Sequence, residues 1–168
     1  MSAVPGPGAA ELADPLRLDV VIEIPRWSFL KRGSSGGIDF VSPLPCPFNY
    51  GSVREYLGSD DDYLDAIVLG PRLPRGARVS VRVHGAIGLR DRGLYDDKLV
   101  CSGGPLSAGE RRRVLLFMRV YGLAKRLLNL YRGRPGRTSS EGWQDAHAVL
   151  GRARPCAPGT PPRPAVPY

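Results

Sequence analysis

Residues 58–70 read GSDDDYLDAIVLG: four aspartates (60, 61, 62 and 65) within six positions, then an apolar run closed by a glycine. The second half, DAIVLG (65–70), predicts a short buried strand that begins at the last aspartate. The first half poses an electrostatic problem. Carboxylates this close repel one another and raise each other's pKa unless a cation shares them. Acidic loops are ordinarily solvated turns; the other reading is that this one holds metal ions. An EF-hand is excluded, because counting from Asp60 the sixth position is Asp65, where glycine is required, and the twelfth is Pro71, where glutamate is required.

Downstream, DRGLYDDKLVCS (91–102) predicts a loop followed by a strand, KLVC, with Asp91 and Asp96 flanking the loop as D-x-x-x-x-D and Lys98 two residues on. If this strand neighbours 65–70, Asp60, Asp62, Asp65, Asp91 and Asp96 converge at one rim. Hard divalent cations such as Mg²⁺ bind to a few carboxylates together with water and phosphate oxygens. Such ions clamp phosphoryl groups and generate hydroxide near neutral pH. Lys98 adds a cation for phosphate.

Upstream, LDVVIEIP (18–25) is rich in β-branched residues, predicts a strand and carries one charge expected to be buried, Glu23. WSFLKRGSSGGIDFV (27–41) predicts a hairpin turning at SSGG. SPLPCPFNYG (42–51) has prolines at alternating positions and predicts a rigid extended segment with a turn at NYG. Valines 79, 81 and 83 alternate in a further strand. From about Ala108 the period changes: Val114, Leu115, Phe117, Met118, Tyr121, Leu123, Leu127 and Leu128 predict a long amphipathic helix, and EGWQDAHAVL (141–150) a short second one. Strands first and helices last predict an α+β fold, a small closed sheet with helices packed on it.

At 168 residues the chain has room for one domain. Residues 1–15 and the Pro-rich 151–168 lack apolar periodicity and are expected to be disordered tails around a domain at 16–150. The formal net charge is +8, with 24 lysines and arginines against 16 carboxylates. Only Lys31, Lys98 and Lys125 are lysines, and heavy Arg, Ala, Gly and Pro usage points to a GC-rich genome that loads any surface with arginine. Nine cations run from Arg111 to Arg137 with no carboxylate between Glu110 and Glu141. Few aromatics interleave with them, which weighs against nucleic acid as a partner. Cys46, Cys101 and Cys156 have no CxxC spacing, so neither a zinc site nor a disulfide framework is expected. No signal-peptide pattern opens the sequence, and the apolar run VLLFM (114–118) is too short for a bilayer. A soluble cytoplasmic protein without a membrane partner is the expectation.

These motifs, in this order, resemble the soluble family I inorganic pyrophosphatases over about residues 18–150. VVIEIP (20–25) is similar to the family's first strand, and WSFLK ends at Lys31 where the family has its first catalytic lysine. SPLPCPFNYG resembles S-P-x-x-Y-P-x-N-Y-G. GSDDDYLDAIVLG resembles G-x-D-G-D-P-L-D-V-L-V-L-G, and DRGLYDDK resembles D-x-x-x-x-D-x-K. EGWQDAHAV resembles a C-terminal E-G-W-x-D-A element.

The resemblance implies an OB-like five-stranded β-barrel with helices packed beside it, a homo-oligomer (a hexamer in bacteria), and hydrolysis of pyrophosphate to two phosphates with several Mg²⁺ ions. By position it implies that Asp60, Asp65 and Asp96 hold a first metal, with Asp65 bridging to a second, and that Asp91 and Asp96 hold a substrate-associated one. Asp62 would accept the proton of the attacking water, with Tyr50 beside it. Lys31, Lys98 and Tyr121 would contact phosphate, and Glu23 would support the metals through water.

Departures fall mainly on the phosphate clamp. Gly33 stands where the family has a glutamate, Ile38 where it has an arginine, and Gly122 where a lysine follows the tyrosine. Cys46 replaces the first tyrosine of Y-P-x-N-Y-G, and Asp61 and Tyr63 replace the glycine and proline of D-G-D-P. Arg32 and Arg119, beside Lys31 and Tyr121, lead the candidates to replace the lost cations, followed by Arg54, Arg90 and Arg92. The alternative function is a catalytically weak or inactive homologue that binds metal and phosphate or regulates.

Overall fold

The computed structural model describes residues 15–32, 38–41, 45–91, 94–131, 138–157 and 159–162. Ten strands and two helices are assigned among them: β1 (Arg17–Ile24), β2 (Leu30–Arg32), β3 (Ile38–Val41), β4 (Asn49–Leu57), β5 (Tyr63–Leu69), β6 (Arg78–Asp91), β7 (Leu94–Tyr95), β8 (Lys98–Ser102), α1 (Ala108–Tyr131), β9 (Thr138–Gln144), α2 (Ala146–Arg152) and β10 (Arg154–Pro155).

Strand pairing runs β1-β4-β5-β8-β6, and β6 pairs back onto β1. That closure makes a five-stranded barrel of the OB-like kind, with the extra strands β9 on β6 and β10 on β4. Every barrel pairing is antiparallel except β5 with β8, which run parallel. A parallel pair needs a long crossover, and β6 with its flanking turns supplies it. β2 and β3 form the expected separate hairpin; its turn lies outside the described residues.

Alternation along the strands divides the core into two layers. Leu18, Val20, Val53, Ala66, Val83 and Leu99 belong to a layer that draws on all five barrel strands and fills the interior, with Ala146 and Val149 of α2 closing it. On the other face, Ile67, Ile87 and Val100 are covered by α1 through Val114 and Met118. β1 and β4 approach so closely at Gly51 that a Cβ there would lie 2.2 Å from the Val21 carbonyl oxygen. Gly85 likewise makes room for the Trp143 indole, 2.5 Å from where its Cβ would be.

Three expectations need correction. Asn49–Gly51 is not a turn but the buried start of β4, because the Asn49 side chain is tied to its surroundings: its Oδ1 accepts from the Arg26 and Leu73 N–H groups and its Nδ2 donates to the Val68 and Pro71 carbonyls. Residues 141–144 are not helical, since they pair with β6; the helix starts at Ala146, capped by Asp145, whose carboxylate accepts from the Ala148 N–H. The expected tail from 151 is structured at its start: α2 runs to Arg152, and Arg154–Pro155 pairs with β4. Residues 1–14 lie outside the described residues.

Candidate active site

The parallel pairing of β5 and β8 sets Asp65 opposite Lys98, and the antiparallel pairing of β4 and β5 sets the same Asp65 opposite Ser52. Cross-strand neighbours on one face are in contact range, so three adjacent strands present a polar row at one end of the layer that α1 covers further along.

Lys98 is the centre of this row. Its side chain is 4% exposed, and its ammonium donates to Asp65 Oδ2 at 2.6 Å and to Asp96 Oδ1 at 2.9 Å. The Tyr50 hydroxyl also donates to Asp65 Oδ2, and the Lys98 ammonium lies 5.4 Å from the Tyr50 ring centre. Burial disfavours the charged amine, but Asp65 and Asp96 outweigh it and hold Lys98 protonated, its pKa raised well above the usual lysine range. Burial, then the Asp65 charge, pushes the Tyr50 phenol up in the same way, so it remains a donor.

The expected acidic convergence is present in part. Loss of solvent around the Asp60 carboxyl raises its pKa, the Asp62 backbone N–H that it accepts at 3.2 Å lowers it, and the charges of Asp96 and Asp65 raise it further. Asp60 therefore feels both carboxylates of the Lys98 pair. Asp62 turns one oxygen to the Tyr63 N–H at 2.8 Å. Glu23, on β1, accepts from the Ser52 hydroxyl at 2.7 Å. Tyr121 stacks on Phe117 with ring centres 6.2 Å apart and is close enough to act on the Lys98 charge. Lys31 lies in β2 and Asp91 at the end of β6; their side chains are outside the described ones, as are those of Arg32 and Ile38.

Of the arginines considered as replacements, Arg90 is engaged by Glu141 at 2.6 Å and by the Tyr95 hydroxyl at 2.6 Å. Arg54 lies over the Tyr63 ring and Arg119 is exposed on α1. Gly33 and Arg92 fall outside the described residues.

Sequence reasoning missed Ser52, Arg152 and Asp97. Ser52 had a signal, since it sits two residues after Tyr50 and shares its strand face. Asp97, buried, pairs with Arg152 at 2.8 Å across 55 residues of chain, and no local pattern announces that.

Among the described residues, no three His, Cys, Asp or Glu side chains stand close enough together to enclose a metal ion. The donor chemistry nevertheless fits a hard divalent cation: the carboxylates that converge are all aspartates, and two of them already share one cation, the Lys98 ammonium. No helix among the described residues is long and apolar enough to cross a membrane.

A family model described as inorganic pyrophosphatase matches residues 20–104. The inorganic pyrophosphatase of Saccharolobus solfataricus is 34% identical over 103 residues, which cover 56% of this chain and 58% of that protein. That of Neisseria meningitidis serogroup B is 29% identical over 146 residues, covering 77% of this chain and 80% of its own length. Among solved structures, the inorganic pyrophosphatase from Thermus thermophilus superposes with a TM-score of 0.64 at 25% identity, covering 89% of this chain and 92% of that one.

Proposed function

Since this chain belongs to the inorganic pyrophosphatase family, we propose that it hydrolyses pyrophosphate to two phosphates in a Mg²⁺-dependent reaction. The observation that carries the reading is the Lys98 ammonium held between Asp65 and Asp96, with Tyr50 donating to the same Asp65 oxygen. Two half-buried carboxylates that share one buried cation beside a further aspartate cluster suit a substrate of high negative charge, whose own charge must be neutralised as it enters.

Asp60, Asp65, Asp91 and Asp96 are the residues that would hold Mg²⁺, several ions in all. Bound there, the metal would neutralise phosphate charge and lower the pKa of a coordinated water. The chain's own groups do the rest. Asp62 takes the proton of the attacking water as its oxygen forms a bond to one phosphorus and the bridging P–O bond breaks. Tyr50 holds Asp65 in place by its hydrogen bond. Lys98, kept protonated by its partners, meets phosphate oxygen together with Lys31 and Tyr121. Glu23 is oriented by Ser52 and supports the metals from the next strand.

A cytoplasmic homo-oligomer is part of the same proposal. The supporting observation is an exposed stripe on α1, in which Leu116, Val120, Leu123, Leu127 and Leu130 recur at alternating spacings of four and three residues on the side away from the barrel. Light scattering on the purified chain reads the assembly directly, and a monomer at micromolar concentration would remove that part.

The decisive experiment is phosphate release from pyrophosphate, with Mg²⁺ and with EDTA, beside the Asp62→Asn variant. Turnover is expected with Mg²⁺ alone, and the variant should lose about 10²–10⁴-fold, the usual worth of a positioned general base. Undiminished turnover in the variant would refute the role of Asp62. No turnover in the parent chain would refute the catalytic reading.

A further inference from the structure

The segment after α2 has a second task. Its backbone pairs with the last two residues of β4, Arg154 opposite Leu57 and Pro155 opposite Tyr56. The Cys156 N–H donates to the Glu55 carbonyl at 2.9 Å, and its thiol to the Arg54 carbonyl at 3.1 Å. These contacts end where the acidic loop begins, since residues 58–62 follow β4 directly. On the far side of that loop, the hydroxyl of Tyr63, the first residue of β5, donates to the Thr160 carbonyl. Between the two anchors, the Arg154 guanidinium pairs with the Asp61 carboxylate at the loop's apex.

Asp61 and Tyr63 are the two positions at which the loop departs from the G and P of the pattern it resembles. Asp61 has a φ of +64°, a left-handed conformation that glycine adopts freely and a residue with a Cβ does not. An aspartate there gives up backbone ease and gains the Arg154 ion pair. A tyrosine in place of a proline gains the Thr160 bond in the same way. Both departures serve one neighbour.

We infer that residues 154–157 and 159–160 form a strap that fixes the acidic loop, with Arg154, Asp61 and Tyr63 as positioning residues for the carboxylates of Asp60 and Asp62. The inference rests on the reading of that loop as metal-holding. The strap replaces, from outside the loop, the stiffness that a proline would supply from within.

The test uses the full chain and its Arg154→Ala, Arg154→Lys and Tyr63→Phe variants, read by hydrogen exchange and by calorimetric Mg²⁺ titration. In Arg154→Ala and Tyr63→Phe, exchange at residues 58–63 should rise about two- to fivefold, the range open to an exposed ion pair or a single hydrogen bond. The dissociation constant for Mg²⁺ should rise by a similar factor while exchange in β8 is unchanged. Arg154→Lys should restore both. Unchanged exchange at 58–63 overturns the strap, and so does faster exchange with unaltered Mg²⁺ affinity. Pyrophosphate turnover measured alongside separates the two readings: a parent chain that binds Mg²⁺ but turns nothing over sinks catalysis and leaves the strap to be decided by exchange and titration. A parent chain that binds no Mg²⁺ overturns the strap's positioning role.

Discussion

Two segments bring carboxylates to the site, and they are held in opposite ways. Residues 94–98 are clamped from inside. Tyr95 lies between two guanidinium groups, with Arg90 4.5 Å and Arg152 4.4 Å from its ring centre. Arg152 also donates to Asp97 at 2.8 Å and to Gln144 at 2.6 Å, and the Asp97 side chain is only 5% exposed. The Asp96 N–H is fixed to the Leu89 carbonyl at 2.9 Å. Residues 58–63, by contrast, are held at the surface by their own turn, in which the Gly58 N–H reaches the Asp62 carbonyl at 2.8 Å, and by the Arg154 pair, whose arginine side chain is 65% exposed. Ion pairs in water contribute little, whereas breaking a desolvated one strands a charge. The two acidic segments should therefore differ sharply in what the loss of one anchor costs.

The largest effect is expected at Lys98, which joins the two segments' strands. Lys98→Met leaves Asp65 and Asp96 facing each other without a cation, and breaking a buried pair costs about 3–5 kcal/mol. Urea denaturation should show that loss, and added Mg²⁺ should recover more stability in the variant than in the parent, because a metal can take over the shared charge. A variant as stable as the parent would mean that the pair is not strained by its own repulsion. Next comes Arg152→Ala, expected to cost about 2–3 kcal/mol through the charge-assisted bond to buried Asp97; Asp97 Oδ1 already has no hydrogen-bond partner among the described residues. Arg154→Ala should cost under about 1 kcal/mol. Equal losses at Arg152 and Arg154 would break the contrast between buried and exposed anchoring.

The same contrast divides what the sequence disclosed from what it did not. Asp65 at the head of AIVL and Lys98 at the head of LVC were legible, because each charge stands where an apolar run begins and the alternation fixes which face it takes. Their being neighbours was not legible, since a parallel pair is joined by 28 residues that include β6, and no local pattern specifies that register. Asn49–Gly51 reads as a turn by composition and is a strand because Asn49 is enclosed by four backbone partners. Residues 141–144 have weak strand character, and pairing to β6 decides their conformation. The clamp residues Arg90 and Arg152 belong to no motif, and Asp97 fills an unspecified position of D-x-x-x-x-D-x-K. They meet only because the barrel brings β6, the segment before β8 and the end of α2 together.

A change outside both segments supplies the baseline against which these differences are read. At the start of α1, the Ser107 N–H and hydroxyl donate to Glu110 Oε2 at 2.9 and 2.7 Å, while the Glu110 N–H donates to Ser107 Oγ at 3.2 Å, which is a capping box. The Ser107 hydroxyl, then its N–H, hold the Glu110 carboxyl below the usual glutamate range. A carboxylate whose pKa is depressed by folding adds stability above its unfolded value and loses it as pH falls through the folded one. Ser107→Ala removes the larger of these two bonds. It should cost about 1 kcal/mol near pH 7, the ordinary worth of a helix cap, and the difference from the parent should shrink as Glu110 is protonated in both. Urea midpoints at about pH 7 and about pH 3 measure it. A gap that stays constant with pH would assign the whole effect to the hydroxyl as a cap for the Glu110 N–H, with none carried by the carboxylate.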